Sequence, residues 1–292
     1  MRILLCTDGS AHGQTALRFG ALLAGGSPEP ATLLGVVEHP GDRAQVEQAL
    51  EQGREWLSRA QTPQIKIRQG NAAEEILDEA AGHRYDLIVV GARGRRGITR
   101  FLLGSTSERV ARHADPPVLI VQGERQQLAR ILACTGGKEQ GLAAVELGAR
   151  VATLTGATVT VLHVMSQLVA APLLPEAGAL QIMPQTPAPP DPEQLQFDAL
   201  EADTEALIDQ RTPEGAHLQK ALAILNDHQV PARARVRRGL VIDEILAEAH
   251  EGDQDLVIVG TQSAEGWMRF LLNDIGHEIL CCLDRPVLIS KA

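Results

Sequence analysis

Aromatic residues are almost missing from this chain: four Phe, two Trp and one Tyr, 2% of 292 residues. Single-stranded nucleic acids are held on aromatic stacking platforms, and Ala, Leu and Val are left to fill the core. Positive charge is also short. Lys and Arg number 27 against 37 Asp and Glu, a formal net charge of −10, the wrong sign for gripping a phosphate backbone. Both shortages argue against nucleic acid as a partner. No apolar run approaches the roughly 18 residues of a membrane helix, and Asp8 cuts the apolar start short of a signal peptide. A cytoplasmic protein without a membrane partner is expected. The four cysteines form no CxxC pair. Cys6 and Cys134 lie in apolar runs and Cys281 adjoins Cys282, so buried free thiols are expected. The nine histidines include no HExxH or similar zinc spacing, so no metal site is expected. No Ser-His-Asp or Cys-His nucleophile set is readable, and no catalytic residue is assigned.

What is present is globular: 44% hydrophobic and 22% charged residues, in a chain long enough for two domains. The chain repeats itself. Residues 68–121 align without gaps with 237–290, with 21 of 54 positions identical. Asp86–Gly91 faces Asp255–Gly260, Arg100–Leu103 faces Arg269–Leu272, and Pro117–Ile120 faces Pro286–Ile289. These matches lie 169 residues apart, whereas Arg2–Thr7 faces Arg130–Thr135 at 128, so the C-terminal half carries an insertion of 41 residues. Two domains are expected, 1–124 and 129–292, with the insert at about 166–217. Seven of the sixteen prolines fall between Pro172 and Pro192, where neither a helix nor a central strand can run. Nine acids and one base across 166–217 give the insert a net charge of −8, while residues 1–124 are nearly neutral with fifteen acids and fourteen bases. Two readings of the insert stand: a solvated loop, or a lid or partner-docking segment.

Each half alternates strand and helix patterns. A buried-strand run is read at Ile3–Thr7, with further strands at Leu33–Val37, Leu87–Val90 and Val118–Val121 and a short one at Ile65–Arg68. Helices are read after Ser10 and over Val46–Ala60, Ala72–Ala81 and Thr106–Ala114. Strands separated by helices imply parallel pairing, and helices on both faces give a doubly wound α/β sheet that binds ligands beyond the carboxyl ends of its strands. Arg233, Arg235, Arg237 and Arg238 read as an exposed strand edge rather than a ligand patch.

After the fourth strand come Gly91-Ala92-Arg93-Gly94, nine residues, then Gly104-Ser105-Thr106. Gly91 and Gly94 let backbone approach a ligand, and Gly104 and Ser105 precede a helix whose first N–H groups attract anions. Arg93, Arg95, Arg96 and Arg100 add charge. The competing reading is structural: Ser105 and Glu108 fit a capping box, with Gly104 only a turn residue. The C-terminal half supplies a control. Asp274 stands for Ser105 and Asn273 for Gly104, which keeps a helix start. Ser263 stands for Gly94; Gln262, Ala264 and Glu265 stand for Arg93, Arg95 and Arg96; Gly136 stands for Asp8. Every one of these changes disfavours an anionic nucleotide, so the N-terminal half is read as holding the site and the C-terminal half as having lost it.

Gly91-x2-Gly94-x9-Gly104-Ser105, following Thr7-Asp8 after the first strand, resembles the universal stress protein family, in its tandem form. The resemblance spans both halves except the insert. It implies two repeated five-stranded parallel sheets of order 3-2-1-4-5, of the nucleotide-binding α-hydrolase-like (HUP) type. It also implies dimerisation through the fifth strand, so that Val118–Val121 and Val287–Ser290 pair within one chain as a pseudo-dimer; association of two chains stays open. It further implies bound ATP, with Mg²⁺. By position, Asp8, which follows the site residue Thr7, would accept from the ribose, and backbone at Val36 or Val37 would face the adenine. Gly91 and Ala92 would line the ribose and first phosphate, and Gly94, Gly104, Ser105 and Thr106 would hold the phosphates. Arg93 stands where the family pattern often has His, and its phosphate role is an inference from charge. The expected function is nucleotide-dependent stress response or signalling, with one adenine nucleotide per chain. Two alternatives stand: an interaction module that binds no nucleotide, with the insert docking a protein partner, or a slow ATPase with the insert as lid.

Overall fold

The computed structural model describes residues 1–93, 103–136, 139–166, 212–260 and 274–291. The N-terminal half runs β1 (Ile3–Thr7), α1 (Ala11–Ala24), β2 (Thr32–Val37), α2 (Arg43–Leu57), β3 (Gln64–Gln69), α3 (Ala72–Gly82), β4 (Leu87–Gly91), α4 (Ser105–His113) and β5 (Val118–Val121). The C-terminal half repeats the order with β6 (Arg130–Thr135), α5 (Glu139–Thr155), β7 (Thr158–Ser166), α6 (Pro213–Asp227), β8 (Ala232–Gly239), α7 (Val241–Glu251), β9 (Leu256–Gly260), α8 (Asp274–Cys282) and β10 (Val287–Ser290).

The ten strands form one sheet in the order β3-β2-β1-β4-β5-β10-β9-β6-β7-β8. Each half therefore has the expected 3-2-1-4-5 order. All pairings are parallel except β5 with β10, which run antiparallel with Leu119 opposite Leu288. The fold class and the intrachain pairing expected from the sequence are both present. Central strands are buried on both faces, as parallel strands must be: every residue of β1, β2, β5 and β10 is buried. One core layer lies under α1, α2, α5 and α6, the other under α3, α4, α7 and α8.

Further bonds cross between the halves. Arg150 on α5 pairs with Asp86 at 2.9 Å. Arg125 reaches Asp253 at 2.6 Å and the fully buried Asp255 at 3.3 Å. The Gln122 side chain donates to the Leu280 carbonyl, and Lys291 Nζ donates to the Ala111 carbonyl.

Each half also repeats a buried ionic cluster. Glu79 on α3 is 1% exposed and accepts from Lys66 and Arg68 of β3, each at 2.6 Å, and from the Tyr85 hydroxyl at 2.8 Å. Burial works against its charge, but these donors outweigh burial and hold the carboxyl below its ordinary value. Glu248 on α7 repeats the arrangement, receiving Arg237 Nε at 2.8 Å. Arg237 also pairs with Glu244 and Glu251. Of the edge-strand arginines, Arg235 and Arg237 reach Glu248 of the neighbouring helix and are half-buried, while Arg233 donates to Thr160 and, like Arg238, is exposed as expected.

Three expectations need correction. The last residues assigned to the insert belong to α6: Thr212 caps Gly215 N and Pro213 takes the first helical position, a pairing that starts helices. The rest of the insert, 167–211, lies outside the described residues. Not all thiols are buried, because Cys282 is exposed and Cys281 half-buried in the last turn of α8. The second helix begins at Arg43 and ends at Leu57, short of Ala60.

Leu119 and Leu288 are each 0% exposed at the β5–β10 seam. Replacing either with Ala should cost about 2–5 kcal/mol in urea unfolding. The double variant should cost less than the sum, since the two oppose each other.

Candidate functional site

At the carboxyl ends of β1, β2 and β4 lies an open cleft of about 380 Å³, lined by Thr7, Asp8, Val36, Gly91, Arg93 and Thr106 among others. Three helix N-termini surround it, and they are finished differently. In α1, Ser10 Oγ accepts from Gly13 N at 3.1 Å. In α3, Asn71 accepts from Glu74 N at 3.3 Å and Glu38 from Ala72 N at 3.1 Å. In α4 the N-cap is Gly104, and among the described residues no side chain caps the helix. Its leading N–H groups keep their positive end for something else.

This decides against the capping-box reading. Ser105 is the first helical residue rather than the cap, and Glu108 pairs forward with Arg112 at 2.6 Å. The helix start is pinned by other means. Gly104 N donates to the Ala92 carbonyl and Ala92 N to the Val121 carbonyl, both at 2.8 Å. Ser107 Oγ donates to the Gly91 carbonyl at 2.5 Å and is 2% exposed. Sequence reasoning missed Ser107, although the repeat flagged it: Gly276 stands at that place in the C-terminal half. It also missed Gly13, Ala72 and Ile76, which line the cleft.

Asp8 is half-buried at the cleft, and its Oδ1 accepts from Ser10 N at 3.0 Å. Thr7 is buried, its hydroxyl accepting from Gly9 N at 3.1 Å. Val36 lines the cleft, whereas the side chain of Val37 packs in the opposite core layer and its carbonyl accepts from Gly70 N. Gly91 has a packing reason of its own: a Cβ there would stand 2.6 Å from the His12 carbonyl oxygen. That close approach is to the first turn of α1, and Gly260 repeats it in the sequence. Ser105 is exposed and Thr106 half-buried. Gly94, Arg95, Arg96 and Arg100 lie outside the described residues.

The corresponding end of the C-terminal half is built otherwise. Gly136 follows β6 where Asp8 follows β1, and α8 begins at Asp274 where α4 begins at Ser105. Thr7 pairs in register with Gly35, but Thr135 pairs with His163. His163 Nδ1 meets the Thr135 carbonyl at 3.1 Å, and His217 of α6 meets the Thr135 hydroxyl. Both histidines are 7% exposed. Gln262, Ser263, Ala264, Glu265 and Asn273 lie outside the described residues.

The comparisons agree with this duplication. The universal stress protein family matches residues 1–122 and again 128–291. The chain belongs to that family, as a tandem member. A universal stress protein of Methanocaldococcus jannaschii is 38% identical over 73 residues, covering 25% of this chain and 41% of the relative. One from Mycolicibacterium smegmatis is 30% identical over 145 residues, 42% of this chain and 49% of the relative. The chain thus spans half or less of the length of these relatives. A universal stress protein structure from Archaeoglobus fulgidus matches 99% of this chain and 96% of its own, with TM-score 0.65 and 18% identity. That likeness shows the fold. Among the described residues no helix is long and apolar enough to cross a membrane.

Two outcomes follow. Ser107→Ala should cost about 1–3 kcal/mol in thermal or urea unfolding by orphaning the Gly91 carbonyl. His217 is held below its ordinary value of 6.5 by burial first, then by His163 and Lys220. The folded state therefore prefers the neutral ring. Its stability contribution is complete above the unfolded value and lost as pH falls below it. Unfolding midpoints followed from pH 7.5 to about 5 should drop more steeply for the natural protein than for His217→Gln.

Proposed function

We propose that this tandem universal stress protein binds one adenine nucleotide, in its N-terminal half, and uses it in nucleotide-dependent stress response or signalling. The uncapped start of α4 carries the reading. It faces a cleft lined by Asp8, Gly91, Arg93 and Thr106, while the two neighbouring helix starts are already capped. Uncapped N–H groups and an arginine suit phosphate. Asp8 keeps Oδ2 as an acceptor for a ribose hydroxyl, and Val36 offers an apolar wall for the base. Gly104, Ser105 and Thr106 are the residues of the helix start that would meet the phosphates.

The fullest ligand is ATP with Mg²⁺. Among the described residues no group of three or more His, Cys, Asp or Glu is placed to hold a metal. A magnesium ion there would be carried mainly by phosphate and water oxygens, its usual habit. Asp8 is the acid lining the cleft, and one of its oxygens is engaged by Ser10 N. Binding, rather than efficient hydrolysis, is what these groups are suited to. The C-terminal half is proposed as a partner without nucleotide, since α8 opens with an acidic residue, Asp274, where α4 opens with Ser105, and Gly136 stands where Asp8 does.

Native mass spectrometry of gently purified protein should show one adenine nucleotide per chain, its phosphate count naming the species. Ser105→Asp, which copies Asp274 into α4, should weaken Mg-ATP binding by about tenfold or more in calorimetry. Asp8→Ala should weaken it by a similar factor. Two nucleotides per chain, or full affinity in Ser105→Asp, would overturn the assignment.

A further inference from the structure

At the opposite end of the N-terminal sheet, where β1, β4 and β5 begin, lies a second open cleft of about 950 Å³. Arg2, the end of α3 at Ala80 and Ala81, the turn Tyr85–Asp86, and Asp115 with Pro116 line it. The repeat shows what this place is built to hold. In the C-terminal half the position of Pro116 is Arg285, a side chain only 3% exposed. Its guanidinium donates to the carbonyls of Ala249, at the end of α7, and of Gln254, the latter at 3.1 Å. It also meets His250 Nδ1 at 2.8 Å and the Asp284 carboxylate at 2.8–3.0 Å. A planar fork of donors is satisfied there by helix-end carbonyls and one carboxylate.

The N-terminal half keeps the acceptors and lacks the donor. Ala80 and Tyr85 stand for Ala249 and Gln254, and Asp115 for Asp284. Pro116 carries no donor, and Ala81 stands for His250, which removes a ring. The end of a helix adds negative potential from its carbonyls. The rim differs as well. Arg84 replaces Asp253, the residue that pairs with Arg130 in the other half, so Arg2 loses that partner and lies 5.9 Å over the Tyr85 ring. By position the carbonyls of Ala80 and Tyr85 and the Asp115 carboxylate are the counterparts of the groups around Arg285, and Arg2, His83 and Arg84 line the same cleft.

We infer that this cleft is a binding site for an arginine from outside the chain, its guanidinium seated as Arg285 is seated in the C-terminal half and its carboxylate turned to Arg2 and Arg84. The ligand is free arginine or the carboxy-terminal arginine of a polypeptide, which share that chemistry. The site lies at the far end of the strands from the nucleotide cleft and does not depend on it.

The test is a titration of the full chain, followed by amide chemical shifts at Ala80, Ala81, Tyr85 and Asp86. The probes are L-arginine, the tripeptide Gly-Gly-Arg, agmatine and L-lysine, each to millimolar concentration. Arginine or the tripeptide should shift these amides, and whichever binds more tightly names the source. Agmatine, lacking the carboxylate, should bind about tenfold more weakly, and lysine, lacking the fork, should not saturate. Pro116→Arg should supply the missing side chain in cis, raise the thermal midpoint and erase the response. Asp115→Asn should weaken arginine binding about threefold to tenfold without unfolding the protein. No response to arginine or the tripeptide would overturn the inference. So would a response that lysine equals or that survives in Pro116→Arg.

Discussion

The antiparallel junction of β5 with β10 is the constraint on which the rest of the molecule hangs. A five-stranded parallel sheet of order 3-2-1-4-5 leaves its fifth strand with an open edge, and an open apolar edge is a liability. Each half covers the other's edge, and the core layers run through the seam without a break. Because the two halves sit in one chain, the junction forms at a single effective concentration and does not depend on protein level. Arg125 and Arg150 tie the same seam from outside the sheet through Asp255 and Asp86. Identity on both sides of the seam is no longer required, and the two halves were free to diverge wherever the seam was not involved.

Where they diverge is informative. The strands, the close-approach glycines Gly13, Gly20 and Gly91 and the buried carboxylates Glu79 and Glu248 are kept. The changes gather at the two ends of the strands, where helices start and stop. At the carboxyl ends, Asp8 and Ser105 face Gly136 and Asp274, and Gly35 faces His163. At the amino ends, Pro116 faces Arg285. Helix ends are where backbone groups remain unsatisfied, so each substitution decides whether the chain satisfies them itself or leaves them for a ligand. The C-terminal half satisfies the Ala249 carbonyl with its own arginine. The N-terminal half has Pro116 in that place, and among its described residues no side chain caps the start of α4.

Much of this was legible from residues. Buried parallel strands announce themselves as apolar runs, so β1, β4 and β5 were readable to within a residue, and the family resemblance implied the pairing of halves. What was not legible was anything resting on a charged or polar residue turned inward. Glu79 reads as one more acid on a surface helix, and only the fold shows three donors converging on it. Ser105 reads as a cap because its spacing to Glu108 is right, but the backbone puts Gly104 in the cap position. Ser107, the residue that holds α4 to β4, has no local pattern at all. The internal repeat does carry a trace of them: Arg68, Glu75 and Glu79 recur as Arg237, Glu244 and Glu248, and Ser107 does not recur.

The same alignment sharpens the argument for an asymmetric molecule. A residue kept in both halves serves the shared fold, so Gly91 cannot by itself speak for a ligand: Gly260 is there too, and the close approach of Gly91 to the first turn of α1 already requires a glycine. The weight falls on residues present in the N-terminal half alone. Asp8, Arg93 and Ser107 line one cleft and Ser105 opens the helix beside it, and their counterparts are Gly136, Gln262, Asp274 and Gly276. Four independent changes around one helix start remove an acceptor, a cation, an open N-terminus and the tether that aims it. A fold under no demand but stability would have no reason to keep all four together on one side and to lose all four on the other.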